Sequence, residues 1–264
     1  GLKAVGESCE NPILYFDTNV NGAISLLKTM DLHNVRNLVF SSSATVYGNP
    51  STLPIKENST LNPTNPYGST KLIIENICRD LVRENSLSNN NSWKISLLRY
   101  FNPIGAHESG MIGEDPRGIP NNLMPYILQV AVGKLNCLSI FGNDYDTKDG
   151  TGIRDYIHVM DLARGHVQAI KRILNMTSKK SECIAFNLGT NSGTSVLELL
   201  KIFEEETKMK INYEIKPRRV GDIASCYADA SYANKILKWK PEKSINEMMR
   251  DSWRWQKNNP NGFD

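Results

Sequence analysis

The sequence contains no block of basic residues, no long apolar run and no basic-then-apolar leader, and each absence excludes a class of protein. With 31 Lys and Arg against 28 Asp and Glu the net charge is only +3, so nucleic acid and membrane surfaces are not expected partners. No apolar stretch approaches the roughly 18 residues of a membrane span, and the leader of a secreted protein is missing. We therefore expect a cytoplasmic protein whose ligand is small and anionic.

Cysteine is scarce, and no two cysteines form a Cys-x-x-Cys pair. The five cysteines are Cys9, Cys78, Cys137, Cys183 and Cys226. An odd number without paired spacing predicts free thiols rather than a disulfide framework or a zinc site. The four histidines show no metal-ligand spacing either, so no metal is expected.

The most informative motif in the sequence is the Tyr-x-x-x-Lys pattern formed by Tyr67 and Lys71. On a helix these residues lie one turn apart on one face, about 6 Å along the axis at ~1.5 Å per residue. Tyrosine ordinarily titrates near ~10, so its use as a base near neutral pH requires about 4 kcal/mol of preferential stabilisation of the phenolate. A neighbouring ammonium supplies part of that stabilisation.

The run before this helix gives the pair its context. The segment 37–41 is a short apolar stretch that ends in hydroxyls, which predicts a buried parallel strand. Its carboxyl end would open onto the crevice where doubly wound sheets bind ligands. Ser43, Tyr67 and Lys71 would then converge at that edge.

These residues resemble a known family. The Ser and Tyr-x-x-x-Lys set is similar to the extended short-chain dehydrogenase/reductases, and longer strings resemble their UDP-galactose (UDP-glucose) 4-epimerase family over residues 1 to about 263. The strings are SSSATVYG at 41–48, LRYFNP at 98–103, GIPNNLMP at 118–125 and GIRDYIH at 152–158.

The resemblance implies an α/β fold with a doubly wound, Rossmann-type parallel sheet and a smaller mixed substrate domain. Residues 1–101 would form the C-terminal portion of the NAD-binding domain. Residues 102–264 would form the UDP-sugar-binding domain, with roughly 143–176 returning to the first. Helices near 19–30 and 67–84 would build a homodimer interface.

A glycine-rich dinucleotide loop would precede Gly1 in the family, and this chain begins as if in the middle of a domain. Its only Gly-x-Gly is Gly150-Thr151-Gly152, with Asp155 where a third glycine is needed. The phosphate-cradling half of the NAD site is therefore expected to be missing from the chain.

The resemblance also implies roles for individual residues. Tyr67 would take the proton of the sugar 4-hydroxyl while hydride passes from C4 to NAD, and Ser43 would bind the same oxygen. Lys71 would bind the nicotinamide ribose, with Lys3 and Ser41 as further cofactor contacts. Inversion at C4 then requires the 4-keto sugar to turn over before hydride returns. The residues implied to bind UDP-sugar, besides Ser43, are Asn102, Asn122, Leu123, Arg154, Tyr156, Arg219, Asp222 and Cys226.

Within this set the arginines would neutralise the diphosphate, because a guanidinium fork donates two hydrogen bonds to an anion. Asp222 would bind ribose hydroxyls, and Asn102, Asn122 and Leu123 would hold sugar, phosphate or uracil. Cys226 would lie against the sugar 2-position, where a small residue admits N-acetyl groups. Val220 departs from the glutamate usual in the family, which makes the geometry near Arg219 less certain.

Two other functions fit parts of the sequence. A nucleotide-sugar 4,6-dehydratase shares the 4-keto intermediate, but its family carries Asp-Glu where this chain has Ala44-Thr45. A non-catalytic nucleotide-sugar binding protein would fit the missing glycine loop.

Periodicity predicts several further elements. Val20, Ala23 and Leu27 indicate an amphipathic helix from about residue 19, and Ile73, Ile77 and Leu81 would turn the helix after Pro66 toward a core. The segments 49–66 and 89–91 are expected to be loops. Capping boxes at Ser195-x-x-Glu198 and Ser244-x-x-Glu247 predict two helix starts.

Overall fold

The computed structural model describes residues 1–85, 92–178, 180–219 and 221–263. The loop expected at 89–91 and Val220 lie outside this part of the chain. The helices are α1 (Val5–Glu10), α2 (Pro12–Tyr15), α3 (Gly22–Leu32), α4 (Pro66–Asn85), α5 (Leu123–Ala131), α6 (Val159–Leu174), α7 (Val196–Thr207), α8 (Ser231–Leu237) and α9 (Ile245–Asn258). The strands are β1 (Asn37–Ser43), β2 (Lys94–Tyr100), β3 (Asn102–Ile104), β4 (Leu138–Phe141), β5 (Ile153–Arg154), β6 (Tyr156–His158), β7 (Glu182–Leu188), β8 (Thr194–Ser195), β9 (Tyr213–Lys216) and β10 (Ser225–Cys226).

The chain divides into two compact units. The first comprises Gly1–Tyr100, Arg164–Leu188 and Asp229–Trp239, and the second comprises Phe101–Ala163, Gly189–Ala228 and Lys240–Asp264. The chain thus returns to the first unit twice, and both returning segments begin later than the single stretch expected at 143–176. None of the helices in the described residues is long and apolar enough to cross a membrane.

The first unit is built on a parallel three-stranded sheet in the order β1-β2-β7. β2 is the central strand, and its residues 95–99 are buried. β1 is an edge strand, so Asn37 is exposed and 38–41 are only partly buried. The expectation of a fully buried strand at 37–41 was therefore wrong, because pairing on one side leaves the other edge accessible. The parallel α/β architecture is confirmed.

Helices α3 and α4 pack their apolar faces on this sheet. Leu27, Ile74 and Cys78 belong to a cluster with buried residues of β2. The helix after Pro66 is confirmed, and two of the three residues expected to face the core, Ile77 and Leu81, pack against this cluster. The third, Ile73, is 36% exposed, and its neighbour Ile74 is buried instead.

The second unit contains the sheet β10-β5-β8 and two strand pairs, β3-β6 and β4-β9. Its core gathers buried side chains from α5, α7 and α9. Both predicted capping boxes are confirmed, at Ser195 with Glu198 and at Ser244 with Glu247.

A buried ion pair ties α4 to the sheet of the first unit. Arg99 on β2 and Glu75 on α4 have side chains only 1% and 0% exposed. Two nitrogens of Arg99 meet the two carboxylate oxygens of Glu75 at 2.9 and 2.7 Å. Burial raises the pKa of Glu75, but hydrogen bonds and charge from Arg99 outweigh it, so the pKa is lowered overall. The stabilisation from this pair is therefore present above the usual carboxyl pKa and is lost as the pH falls through the lowered value.

We expect Arg99→Ala to reduce the free energy of unfolding by about 3–5 kcal/mol, because it leaves the buried Glu75 carboxylate with only the partly exposed Arg79 as its counter-charge. Arg83→Ala is the matched control, since its ion pair with Asp80 is exposed, with side chains 79% and 66% accessible. That change should cost less than ~1 kcal/mol. Urea unfolding followed by circular dichroism measures both, and equal losses would contradict the assignment.

Candidate active site

The carboxyl end of β1 brings a serine and a tyrosine together in the first unit. Ser43 is the last residue of β1, and its hydroxyl accepts hydrogen bonds from the Thr45 amide at 3.2 Å and the Thr45 hydroxyl at 2.9 Å. Tyr67, in the first turn of α4, lies close enough to Ser43 for the serine hydroxyl to lower the tyrosine pKa. Both residues are only 7% exposed. A polar pair is thus enclosed where β1 ends.

Local sequence explains how α4 comes so close to the strand end. Asn65 precedes Pro66 and accepts a hydrogen bond from the Gly68 amide through its side-chain oxygen at 2.9 Å, which caps the helix. A Cβ at position 68 would lie 2.9 Å from the Thr45 carbonyl oxygen. Glycine at 68 therefore permits the approach that sets Tyr67 beside Ser43.

Lys71 lies one turn further along α4. Its amino group donates to the Ser41 carbonyl oxygen at 2.9 Å and lies 5.7 Å from the centre of the Tyr67 ring. Burial lowers the pKa of Lys71. An ammonium has three donors, so the bond to Ser41 leaves two for a ligand.

Tyr67 does not have the depressed pKa that a base near neutral pH requires. Burial, followed by the neighbouring Tyr100, raises its pKa to about 12, against a lowering effect of the Ser43 hydrogen bond. The Lys71 ammonium is turned toward the Ser41 carbonyl, and removal of the phenolate from water dominates. In the chain alone Tyr67 is a neutral phenol at pH 7.

The other side of Ser41 faces α6. The Ser41 hydroxyl lies 2.9 Å from Nε2 of His166, whose ring centre is 6.1 Å from that of Tyr100. Burial raises the pKa of Tyr100, against lowering effects of the nearby Ser41 side chain and of the Lys3 charge. Sequence reasoning did not identify Tyr100 or His166, because a single Tyr in a strand and a single His in a helix carry no motif.

Lys3 itself is exposed, but the segment around it is anchored. The Asn19 side chain accepts from the Leu2 amide at 2.8 Å and donates to the Leu2 carbonyl at 3.0 Å and to the Thr70 hydroxyl at 3.2 Å. The first residues are therefore held against α4 rather than frayed.

In the second unit, Arg154, Arg219 and Asp222 come together. Arg154 on β5 meets one Asp222 oxygen at 3.2 Å, and Arg219 meets the other at 3.3 Å. The Arg219 guanidinium also lies 4.5 Å from the centre of the Phe141 ring. Two planar cations with one shared carboxylate form a cluster of net positive charge, which suits a diphosphate.

Cys226 and Tyr156 flank this cluster. Cys226 on β10 pairs in register with Arg154, and burial raises the pKa of its thiol to about 11. Tyr156 is 4% exposed within the core of the unit, yet Arg154 and Asp222 both influence its pKa, which burial raises to about 12. All five cysteines are free, as predicted.

Three other residues predicted to contact substrate lie elsewhere in the second unit. Asn102 is exposed at the start of β3 and pairs in register with Tyr156 of β6. Asn122 occupies the N-cap position of α5, but its side chain donates to Glu114 at 3.3 Å and makes no capping bond. Leu123 begins α5 and packs against the core.

Sequence reasoning missed Tyr145. Its hydroxyl is buried and has no hydrogen-bond partner among the described residues, while the Arg218 guanidinium stacks 4.1 Å from its ring centre. Arg154, Arg219 and Asp222 all influence its pKa, which burial raises. Tyr145 thus borders the charged cluster, although nothing in its local sequence indicates this.

Similarity to known proteins decides the family. UDP-glucose 4-epimerase of Bacillus subtilis is 55% identical over 263 residues, covering 100% of this chain and 75% of that protein. UDP-glucose 4-epimerase of Bos taurus is 53% identical over 264 residues, covering 100% and 73%. The chain belongs to the UDP-glucose 4-epimerases.

The crystal structure of the Bifidobacterium longum UDP-glucose 4-epimerase, in complex with NAD+ and UDP, superposes with a TM-score of 0.93 at 55% identity, covering 100% of this chain and 76% of that one. The Stenotrophomonas maltophila enzyme, solved with NAD and formylated UDP-arabinopyranose, gives 0.92 at 48% identity, covering 98% and 75%. The chain thus spans about three quarters of the epimerases it matches.

A family model described as GDP-mannose 4,6 dehydratase also matches residues 1–252. We give more weight to the full-chain identity with epimerases, since the two enzyme classes share the short-chain dehydrogenase/reductase framework. The Ala44-Thr45 pair, which replaces the Asp-Glu of dehydratases, agrees with that choice. The epimerase function is therefore supported over dehydration.

Proposed function

We propose that this chain carries the catalytic and UDP-binding residues of an NAD-dependent epimerase that inverts C4 of a UDP-hexose, converting UDP-galactose to UDP-glucose. The observation that carries the proposal is the proximity of Ser43 and Tyr67, both buried at the carboxyl end of β1, with Lys71 one turn further along α4. This reaction would place the protein in galactose metabolism.

Tyr67 and Ser43 act on the sugar 4-hydroxyl. Tyr67 as phenolate accepts the hydroxyl proton, and Ser43 donates a hydrogen bond to the same oxygen as it becomes a carbonyl. NAD, when bound, would supply the oxidant for this step, holding the hydride of C4 until it returns to the opposite face of the keto sugar. Tyr67 then returns its proton to the oxygen, so the net redox change is zero.

The residues present fit the nicotinamide end of the cofactor. The two free donors of Lys71 suit ribose hydroxyls, and we place Ser41, Tyr67 and Lys3 beside it. The glycine loop that would cradle the cofactor phosphates is not among the 264 residues of this sequence. The pKa of about 12 at Tyr67 means that additional positive charge is needed to form the phenolate at neutral pH. The nicotinamide cation and a reoriented Lys71 would provide it.

We assign UDP to residues of the second unit. Arg154 and Arg219 neutralise the diphosphate, Asp222 accepts from ribose hydroxyls, and Asn102, Asn122, Leu123 and Tyr156 complete the contacts. Support comes from the pairing of both arginines with one carboxylate, which leaves the cluster one positive charge in excess.

A cytoplasmic location is proposed from the cysteines. All five are free thiols, which suits a reducing compartment.

Tyr67→Phe in the full-length protein should lower kcat for UDP-galactose by a factor of about 10² to 10⁴, because the acid/base hydroxyl is removed. UDP affinity, measured by calorimetry, should stay unchanged. Turnover is followed by coupling UDP-glucose formation to a UDP-glucose dehydrogenase.

The matched control is Tyr232→Phe, since Tyr232 is a partly exposed tyrosine on α8 whose ring stacks on Phe186. It should retain turnover. Full activity of Tyr67→Phe would remove Tyr67 from the mechanism.

Cys226 is proposed to set the size of the group accepted at the sugar 2-position. Because cysteine is small, the full-length protein should also convert UDP-GalNAc to UDP-GlcNAc. Cys226→Tyr should abolish turnover of the N-acetyl substrate and spare UDP-galactose, which serves as the internal control. Equal losses on both substrates would contradict this role.

We also propose a homodimer through α3 and α4. Leu26 and Ile73, each directly before a buried residue, are 54% and 36% exposed, and Leu32 at the end of α3 is 77% exposed. An apolar outer face of this kind is typical of helices that pack on a partner.

Leu26→Glu combined with Ile73→Glu should convert the dimer to a monomer in light scattering, since two charges would be buried in each half of the interface. Val167→Glu, on the exposed side of α6, is the control and should remain dimeric. A wild-type monomer at micromolar concentration would exclude the interface.

A further inference from the structure

A polar row crosses the centre of the first unit's sheet. Ser42 on β1, Arg99 on β2 and Asn187 on β7 are aligned partners in the parallel register. They are 0%, 1% and 0% exposed, in a sheet whose other central residues are largely apolar. Burying a row of polar side chains costs free energy unless each of them is hydrogen-bonded. The hydrogen-bond partners of the row therefore show which parts of the fold it connects.

Glu75 connects this row to α4. Its Oε1 accepts the Ser42 hydroxyl at 2.6 Å and Nε of Arg99 at 2.9 Å, while its Oε2 accepts a second Arg99 nitrogen at 2.7 Å. One carboxylate thus bonds two neighbouring strands from the helix above them.

The position of Glu75 on α4 links it to the proposed catalytic residues. Tyr67, Lys71 and Glu75 follow at four-residue steps, so they lie along one side of the helix at intervals of about 6 Å. Rotation or sliding of α4 against the sheet would therefore displace all three together. The three hydrogen bonds that Glu75 accepts from the strands oppose both movements.

Ser42 extends the same restraint to the strand. It stands between Ser41, whose carbonyl oxygen accepts from the Lys71 amino group, and Ser43, whose hydroxyl lies near Tyr67. The Ser42 bond to Glu75 therefore fixes the strand at the residue between the two contact points of the catalytic pair.

Arg99 carries the restraint to the residues that follow β1. Its remaining terminal nitrogen donates to the Tyr47 hydroxyl at 2.9 Å and to the Glu57 carbonyl at 3.0 Å. The Tyr47 hydroxyl donates in turn to Asn187 at 2.7 Å. The short helix after Ser43 and the loop beyond it are thus bonded to the same cation.

Stability alone does not account for an ion pair at this place, because apolar side chains of similar volume often replace a buried pair without loss of stability. We propose that Ser42, Glu75 and Arg99 are positioning residues of the epimerase, which set the rotation and depth of α4 so that Tyr67 and Lys71 meet the strand end in reactive geometry. This inference rests on the proposed roles of Tyr67 and Lys71.

The test uses Glu75→Leu combined with Arg99→Met in the full-length protein, a pair that removes both charges and keeps the volume filled. We expect kcat for UDP-galactose to fall at least tenfold while KM stays within twofold, since misplaced acid/base groups affect the chemical step more than binding. Ser42→Ala, which keeps the ion pair and breaks one link, should lower kcat by a smaller factor, again without a change in KM.

Arg79→Gln is the matched control. Arg79 bonds the same Glu75 carboxylate at 2.6 Å, but it lies on α4 itself and its side chain is 32% exposed. It does not join helix to sheet, so its loss should leave kcat unchanged.

The pH dependence of kcat distinguishes positioning from a purely structural role. Activity requires the Tyr67 phenolate, so the acid limb reflects its titration in the complex. The titratable groups around it are Lys71 on α4, Tyr15 on α2 and Tyr100 on β2. In the double variant Lys71 and Ser43 stabilise the phenolate less, and the acid limb should move to higher pH.

Wild-type kcat and an unmoved acid limb in both Ser42→Ala and the double variant would overturn the inference, whatever their melting temperatures. Should the double variant not fold, Ser42→Ala decides. Tyr67→Phe, assayed in parallel, distinguishes failure of the proposed function from failure of the positioning role. Full activity of that variant refutes the proposed function, whereas its loss beside unimpaired Ser42→Ala and double variants refutes only the positioning role.

Discussion

A buried guanidinium must find its counter-charge within the protein, and in this chain that requirement organises the first unit. Arg99 is 1% exposed at the centre of the sheet, and Glu75 provides the carboxylate from α4. The charge can be buried only when helix and strands are docked in one relative arrangement. Because that helix also carries Tyr67 and Lys71, the condition for burying the ion pair is at the same time a condition on the geometry of the proposed catalytic residues.

The same burial works against the chemistry proposed for Tyr67. A phenol removed from water resists ionisation, and the pKa of Tyr67 rises to about 12 despite the lowering effect of the nearby Ser43. An enzyme gains from this if the missing positive charge arrives with the cofactor, since the base then forms only when the oxidant is present. The position of Lys71, with its ammonium on the Ser41 carbonyl and two donors to spare, is consistent with such a dependence.

Sequence alone predicted the elements of this fold that depend on local pattern. The capping boxes at Ser195 and Ser244 and the helix that starts at Pro66 follow from hydrogen bonds within a few residues, and these were found as expected. Ile77 and Leu81 of α4 pack inward as predicted. Ile73 does not, because Ile73 and Ile74 are equally apolar and only the sheet decides which of them faces inward. The proposed catalytic set rests on a motif with a fixed spacing. The contacts of Glu75 with Arg99 and of Tyr145 with Arg218 were not predicted, because they join residues far apart in the sequence and belong to no motif.

In the charged cluster of the second unit, as in the first, a carboxylate holds guanidinium groups in place, but here one positive charge is left over. Arg154 and Arg219 would repel each other without Asp222, and the shared carboxylate holds both guanidinium groups close while cancelling only one of their charges. If UDP binds here as proposed, its diphosphate brings two negative charges to this remaining positive one and competes with Asp222 for the arginines. Asp222 would then be released in part to accept hydrogen bonds from the ribose. On this proposal the carboxylate that organises the arginines before binding also recognises the sugar next to the phosphates, which would account for an acid in an anion site.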